Sequence, residues 1–479
     1  MKIPPLPAAL LALAALAPRP CPAQGQPGYE ELLGSALARD PALEALRVEA
    51  ERAAIALARA RLTRDSPVLE AGTGSASAAL SDEGTELYAA PGASLTLPGG
   101  ARIGASSVLG RGPSGSYASP SLSLGLPILR GRDDEGVAVE RAAAAELAAR
   151  ASLSRRRFEL EKELLAALKA SFAADVGLAA ARGAEARARR ELDKARTIDG
   201  AEPGGLAYRR LERELRSKAR ASRDAEDALE EALETLAELA GPLPEGPPGE
   251  ALPLPSAEPD LGAALPAAES SPEVAVAREA ARAAAFEAAE AKKRVSLSAE
   301  LGASYSTSSY LDSDDDSVLK GSSLSGGLKA SFEGLELSLG AARDPDAPSL
   351  GLSLAWKPAP RGARALRDRD EALAARQEAA KVDEALRAAR KALARLEAER
   401  GRLLAGAEDA AWELGFARDQ AAAYSGWRDR GMASDEEYAE VLAALRECES
   451  RSRAAFLDRA IWALELRALA GLPGSGGGL

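Results

Sequence analysis

The chain has 479 residues, with 61 basic and 73 acidic side chains interspersed and a net charge of −12. That balance excludes a basic nucleic-acid surface, and the lack of any histidine excludes His-based triads and His zinc sites. Aromatics are only 4 % while alanine is abundant, which suits closely packed helices better than a globular core of large side chains.

Lys2, a mainly apolar run over 6–17 and Cys21-Pro22-Ala23 read as a secretory leader spanning 1–23. Lipidation at Cys21 stays open, although Arg19 and Pro20 replace the small residues such a site prefers. No later run of 18 apolar residues follows, so no spanning helix is expected and any membrane span has to be a barrel. Residues 29–63 form a helical segment in which Asp40-Pro41 is a cap followed by a first-turn proline. Over 67–129 the texture turns to Gly, Ser, Thr and Leu, with alternating pieces and turn signals that predict two to four strands. Residues 133–196 carry no proline and predict one helix about 95 Å long, with Leu160, Leu164, Leu168, Phe172 and Val176 as its stripe. A break at Gly200–Gly205 leads to a second helix over 206–240, closing a helical hairpin.

Residues 241–271 are a Pro/Gly-rich linker. A helix over 272–294, a β-segment over 295–357 and a helix over 361–428 follow. A turn at Gly431–Ser434 and a last helix over 435–470 precede a short tail, 472–479, expected to be disordered. The long helix carries Leu386, Ala389, Leu393, Leu396, Arg400, Leu403, Ala407, Ala410 and Leu414 at alternating three- and four-residue steps, a coiled-coil seam. Pro41 and Pro272, Pro127 and Pro358, and Gly200 and Gly431 are each 231 residues apart, as 272 − 41 shows. The chain is one unit used twice: 24–240 and 272–471.

No motif here carries chemistry. Asp312, Asp314, Asp315 and Asp316 form a solvated acidic loop, since no glycine turn or distal Glu completes a calcium loop. Neither a phosphate-binding G-x-x-x-x-G-K nor a G-x-S-x-G elbow occurs. No catalytic, cofactor-binding or metal-ligating residue is assigned. Cys448 reads as an ordinary helix residue, and the two cysteines lie outside any C-x-x-C motif.

Three passages resemble the TolC-like outer-membrane efflux proteins: A-L-A-R-D-P-A-L-E-A-L at Ala36–Leu46, L-S-L-G-L-P-I-L-R-G-R at Leu122–Arg132, and R-D-R-G-M-A-S-D-E-E-Y-A-E-V-L-A-A-L at Arg428–Leu445. The resemblance implies a mainly α fold with a transmembrane β-barrel. Each chain would be a duplicated helix, β-hairpin, long helix, helix repeat, and three chains would close one barrel continued by a periplasmic helical cylinder. It further implies an exit duct in the outer membrane, not an enzyme and without cofactors. The duct would serve an efflux pump or a type I secretion system, working with a periplasmic adaptor and an inner-membrane transporter. The β-segments are long enough for an extra hairpin in each half. A periplasmic adaptor and a non-channel coiled-coil envelope protein are the rival readings. Two hairpins, each preceded by its own β-segment, argue against the adaptor.

The same resemblance places a gate just past the second turn, at Glu437 and Glu440, with Arg209 or Arg210 of the first repeat as ion partners that hold the tips closed. Gly200, Gly205, Arg428, Asp429, Arg430, Gly431 and Ser434 become the tips that meet an adaptor. The acidic loop and the turn near Gly110–Ser116 are expected at the opposite, outer end.

Overall fold

The computed structural model describes residues 28–81, 84–98, 100–112, 115–129, 131–197, 205–243, 251–256, 259–262, 264–293, 295–310, 318–332, 335–343, 348–356 and 363–472. The expected leader, Cys21, the acidic loop, Gly200 and the tail beyond Leu472 lie outside these residues.

Helices α1 (Tyr29–Arg39) and α2 (Pro41–Asp65) open the chain. They meet at Asp40, where the cap and the first-turn proline were expected. Asp40 is extended and caps α2, its carboxylate accepting from the Leu43 backbone N–H at 3.1 Å, and Pro41 then starts the helix. The same carboxylate accepts from Arg156 at 2.9 Å. Burial pushes the Asp40 pKa up, but Arg156 and the two backbone donors outweigh it, so the pKa ends below the ordinary value. A lowered folded pKa means stability present above the unfolded pKa and lost as pH falls through the folded one. Asp40→Ala is therefore expected to cost about 1–2 kcal/mol at neutral pH. Urea unfolding of the mutant and the parent should converge in acid.

Four strands follow: β1 (Val68–Ser81), β2 (Gly84–Thr96), β3 (Arg102–Gly112) and β4 (Gly115–Leu129). Helices α3 (Asp134–Thr197) and α4 (Leu206–Ala240) make the first hairpin. A 3-10 turn at Ala268–Ser270 precedes α5 (Pro272–Ala291). Then come β5 (Val295–Tyr310), β6 (Val318–Phe332), β7 (Leu335–Arg343) and β8 (Pro348–Trp356). Helices α6 (Ala363–Asp429) and α7 (Asp435–Ala470) make the second hairpin.

All eight strands form one antiparallel sheet in chain order, each pairing with the next. Each half thus gives four strands, two hairpins instead of one. Strand β4 runs past Pro127 to Leu129, with a register shift between them, so the proline bulges the strand rather than ending it. Directly paired residues share a face. Leu69, Leu95, Ile103, Leu124, Leu301, Gly326, Ala341 and Leu350 make one row across the whole sheet. The neighbouring row, on the other face, reads Glu70, Ser94, Gly104, Ser123, Gly302, Ser325, Ala342 and Ser349. One face is leucine; the other is serine, glycine and charge. Hydroxyl pairs Ser106–Ser121, Ser304–Ser323 and Ser338–Ser353 bridge strands on the polar face.

Two layers of helices continue the sheet. Nearest the strands the contacts run α2–α3–α5–α6; farther away they run α4–α3–α7–α6. The main core lies where the two zones meet: Leu164, Leu165, Leu168 and Phe172 of α3 pack with Leu32 and Leu33 of α1, Leu236 of α4, and Leu457 and Leu464 of α7. All nine seam positions of α6 are buried or half-buried. The linker is not a free tether, because Leu252 joins the main core and Leu261 packs with Leu396, Trp462 and Leu466.

Helix α3 departs from one expectation. Among the described residues it alone is long and apolar enough to cross a membrane by length and composition. Its leucines face the core, and Lys169 inside the apolar stretch is ion-paired with Asp458 of α7. Alanine raises its average hydropathy without giving an unbroken apolar run.

Candidate functional site

The second helical hairpin ends in a turn far from the sheet. The second turn is built by a glycine. Gly431 has φ +71°, the left-handed conformation. The Met432 N–H donates to the Trp427 carbonyl at 2.8 Å, and the Gly431 N–H to the Arg428 carbonyl at 2.9 Å. These bonds close α6 with a Schellman arrangement. The Arg428 guanidinium lies 4.5 Å from the centre of the Tyr438 ring, stapling the two arms. Arg428 also pairs with Asp429, and Arg430 donates to the Gly426 carbonyl.

Ser434 then starts α7. Its hydroxyl accepts from the Glu437 N–H at 3.2 Å, while the Glu437 carboxylate accepts from the Ser434 N–H at 2.8 Å and the hydroxyl at 3.0 Å. This is a capping box. The donated Ser434 N–H, and then its hydroxyl, hold the Glu437 pKa below the usual carboxylate range. Its contribution is present above that range and lost as pH falls. Ser434→Ala is expected to speed amide exchange at 435–438 roughly fivefold. Acid should do the same in the parent chain, and unchanged exchange in both would refute the cap.

Glu437 thus has a structural task that the S-D-E-E sequence already advertised. Glu440 pairs with Arg187 of α3 at 3.6 Å, and Glu436 with Arg190 at 2.9 Å. Among the described residues of one chain, Glu437 and Glu440 take partners other than Arg209 and Arg210. The reason is topological: α3 stands between α4 and α7, so the arginines on the first turn of α4 are a helix away. Arg209 and Arg210 are exposed, and Gly205 precedes α4 as its cap residue. Arg187 and Arg190 gave no sequence signal, since their partners lie in the other repeat.

On the polar face of the sheet a concavity of about 880 Å³ is lined by Glu70, Arg102 and Glu300 among serines and glycines. Arg102 donates to Glu70 and Ser94 there. One side of the sheet is therefore wettable along its length.

Residues 32–257 match the family described as TP096X N-terminal domain, and residues 261–469 match the TP096X C-terminal domain. The two are halves of one family, and together they take in most of the chain. The chain belongs to the TP096X family. Among curated proteins none matches the sequence. The structure is similar to that of CusC, a transmembrane channel, at TM-score 0.51 and 15 % identity, covering 92 % of this chain and 91 % of that one. It is also similar to a membrane protein from Pseudomonas aeruginosa at TM-score 0.50 and 18 % identity, covering 94 % and 92 %. The fold is that of the TolC-like outer-membrane channels, as the three sequence passages implied.

Proposed function

We propose that the chain is an outer-membrane exit duct. It assembles as a homotrimer whose sheets form the transmembrane wall and whose helices extend into the periplasm, and it conducts passively. The observation that carries this reading is the two-faced sheet fused to very long helices. Lipid demands an apolar face and leaves no edge unsatisfied; water demands the Ser/Gly/charged face. Strands of 9 to 16 residues are long enough to span. Helices of 64 and 67 residues reach about 100 Å. The similarity to CusC supports the same reading. A periplasmic adaptor would meet the tips at Arg428–Ser434, and an inner-membrane transporter would supply the energy. No residue is assigned a chemical step.

The test is single-channel recording of the purified protein in a planar bilayer. Stable conducting steps are expected; a folded, membrane-inserted protein that never conducts would overturn the reading.

Glu437 and Glu440 are proposed to line the narrow periplasmic end. Threefold symmetry would bring six carboxylates together, attracting cations. Because Glu437 also caps α7, the cleaner variant is Glu440→Gln, which spares the cap. A fall in cation selectivity is expected. Unchanged selectivity in Glu440→Gln and in the double Glu437→Ala, Glu440→Ala variant would remove both from the constriction.

A further inference from the structure

Between α3 and α6 the helical layer changes its middle member. Helix α7 ends at Ala470 and α5 begins at Pro272, and both pack between α3 and α6. The two ends abut: a Cβ added at Gly471 would lie 3.5 Å from the Pro272 ring. Beside this joint lies a cavity of about 450 Å³, within the range of small-molecule sites. Alanine makes the room. On α6, Leu386 and Leu393 pack against Ala268 and Val274, while Ala385, Ala388 and Ala392 line the cavity. Their three- and four-residue steps put these alanines on one face. The repeat does not require them, because 231 residues earlier α3 has Ser154, Arg157 and Glu161. Ala151 and Phe158 of α3 form the opposite wall, and Ala468 of α7 adds to the floor.

We propose that this cavity is a binding site for an uncharged, largely apolar small molecule. The charges at its mouth decide the class. Glu465 takes both Lys162 and Arg395, the latter at 3.1 Å. Arg155 pairs with Glu159 at 2.9 Å, and Glu273 accepts from the Ser271 hydroxyl. Every charged group lining the cavity thus has a partner inside the chain. A charged ligand would have to break one of these pairs. An uncharged one leaves them intact and covers only alanine, leucine and Phe158. Burial of that apolar surface drives the binding. The ligand touches α3 of the first repeat and α5, α6 and α7 of the second, so it ties the two repeats together. All of these residues belong to one chain, so the site goes beyond the duct reading and does not depend on it.

The experiment uses the full chain in detergent with an uncharged photoreactive arene, a phenyl diazirine, and maps the labelled peptides by mass spectrometry. Label is expected within 385–396 and 464–469, displaced by excess naphthalene. Ala388→Phe and Ala151→Leu fill the cavity from opposite walls, and each should remove that label. The exposed leucines of the sheet take label by simple partition. They should keep it in both variants, with helicity unchanged, which shows that the fold survives. Label retained at 385–396 in both filled variants, or none there in the parent chain, would overturn the site. Stronger labelling by a carboxylate-bearing diazirine would overturn the uncharged class. A parent chain that stays unlabelled yet conducts in a bilayer sinks the site alone; one that labels but never conducts sinks the duct alone.

Discussion

Arg132→Met is expected to lower the stability of the fold by about 2–3 kcal/mol, read as earlier loss of helical circular dichroism on denaturation. Arg132 sits where β4 passes into α3, and it gathers carboxylates from three helices. Its Nε lies 2.7 Å from Asp134, one terminal nitrogen 3.4 Å from Glu287 of α5, and the other 3.3 Å from Glu371 of α6. The side chain is only 24 % exposed, and those of Glu287 and Glu371 17 % and 14 %. Burial pushes the Arg132 pKa down, but these carboxylates outweigh it and leave it raised. Removing the cation strands Glu371 with Arg367, and Glu287 with Arg141. The neighbouring Glu290 accepts the Asp133 N–H at 2.9 Å, so the helix start is tied to α5 a second time. The cost is set below the full-burial figure because solvent reaches part of the cluster. Arg282→Met is the control: that arginine is 67 % exposed in its pairs with Glu140 and Glu279, and its loss should be nearly silent. Equal effects of the two substitutions would show that the junction is not a special point.

Trp462→Ala should be more damaging still, at about 3–5 kcal/mol. Trp462 is 2 % exposed and joins α7 to α6 and to the linker through Leu396, Leu466 and Leu261. Its indole N–H donates to the Leu396 carbonyl at 2.9 Å. Trp462→Phe keeps most of the packing and drops only that bond, for about 1 kcal/mol. Urea unfolding of the two variants separates packing from hydrogen bonding. Similar losses for both would assign the effect to the bond and refute the packing account.

Much of the helical frame was legible because leucine and alanine recur at three- and four-residue steps. The expected limits 206–240 and 435–470 coincide with α4 and α7, and the seam positions of α6 are buried or half-buried, as their spacing implied. Strand β1 was harder to read: Val68–Ser81 is mostly Ala, Ser and Gly, and small residues alternate without a visible apolar face. Side-chain partners across the repeats were invisible. Arg132 meets Glu371 across 239 residues, and Lys169 meets Asp458 across 289. Such pairs follow from topology, which no local pattern encodes. At the tip the opposite happened: the Ser434-to-Glu437 spacing names a cap outright, yet family likeness drew attention to Glu437 as a lumen group instead.

In the proposed homotrimer the eight-stranded sheet would set the bore. Eight strands at about 4.8 Å span roughly 38 Å side by side. The four helices beneath them, α2, α3, α5 and α6, span roughly 32–40 Å at 8–10 Å apiece. Each chain therefore contributes the same arc of wall above and below the junction at Arg132. In a ring of such chains the tube passes from strands to helices without a step or a funnel. In the proposed duct, a solute that clears the upper helices would meet no tighter waist among the strands.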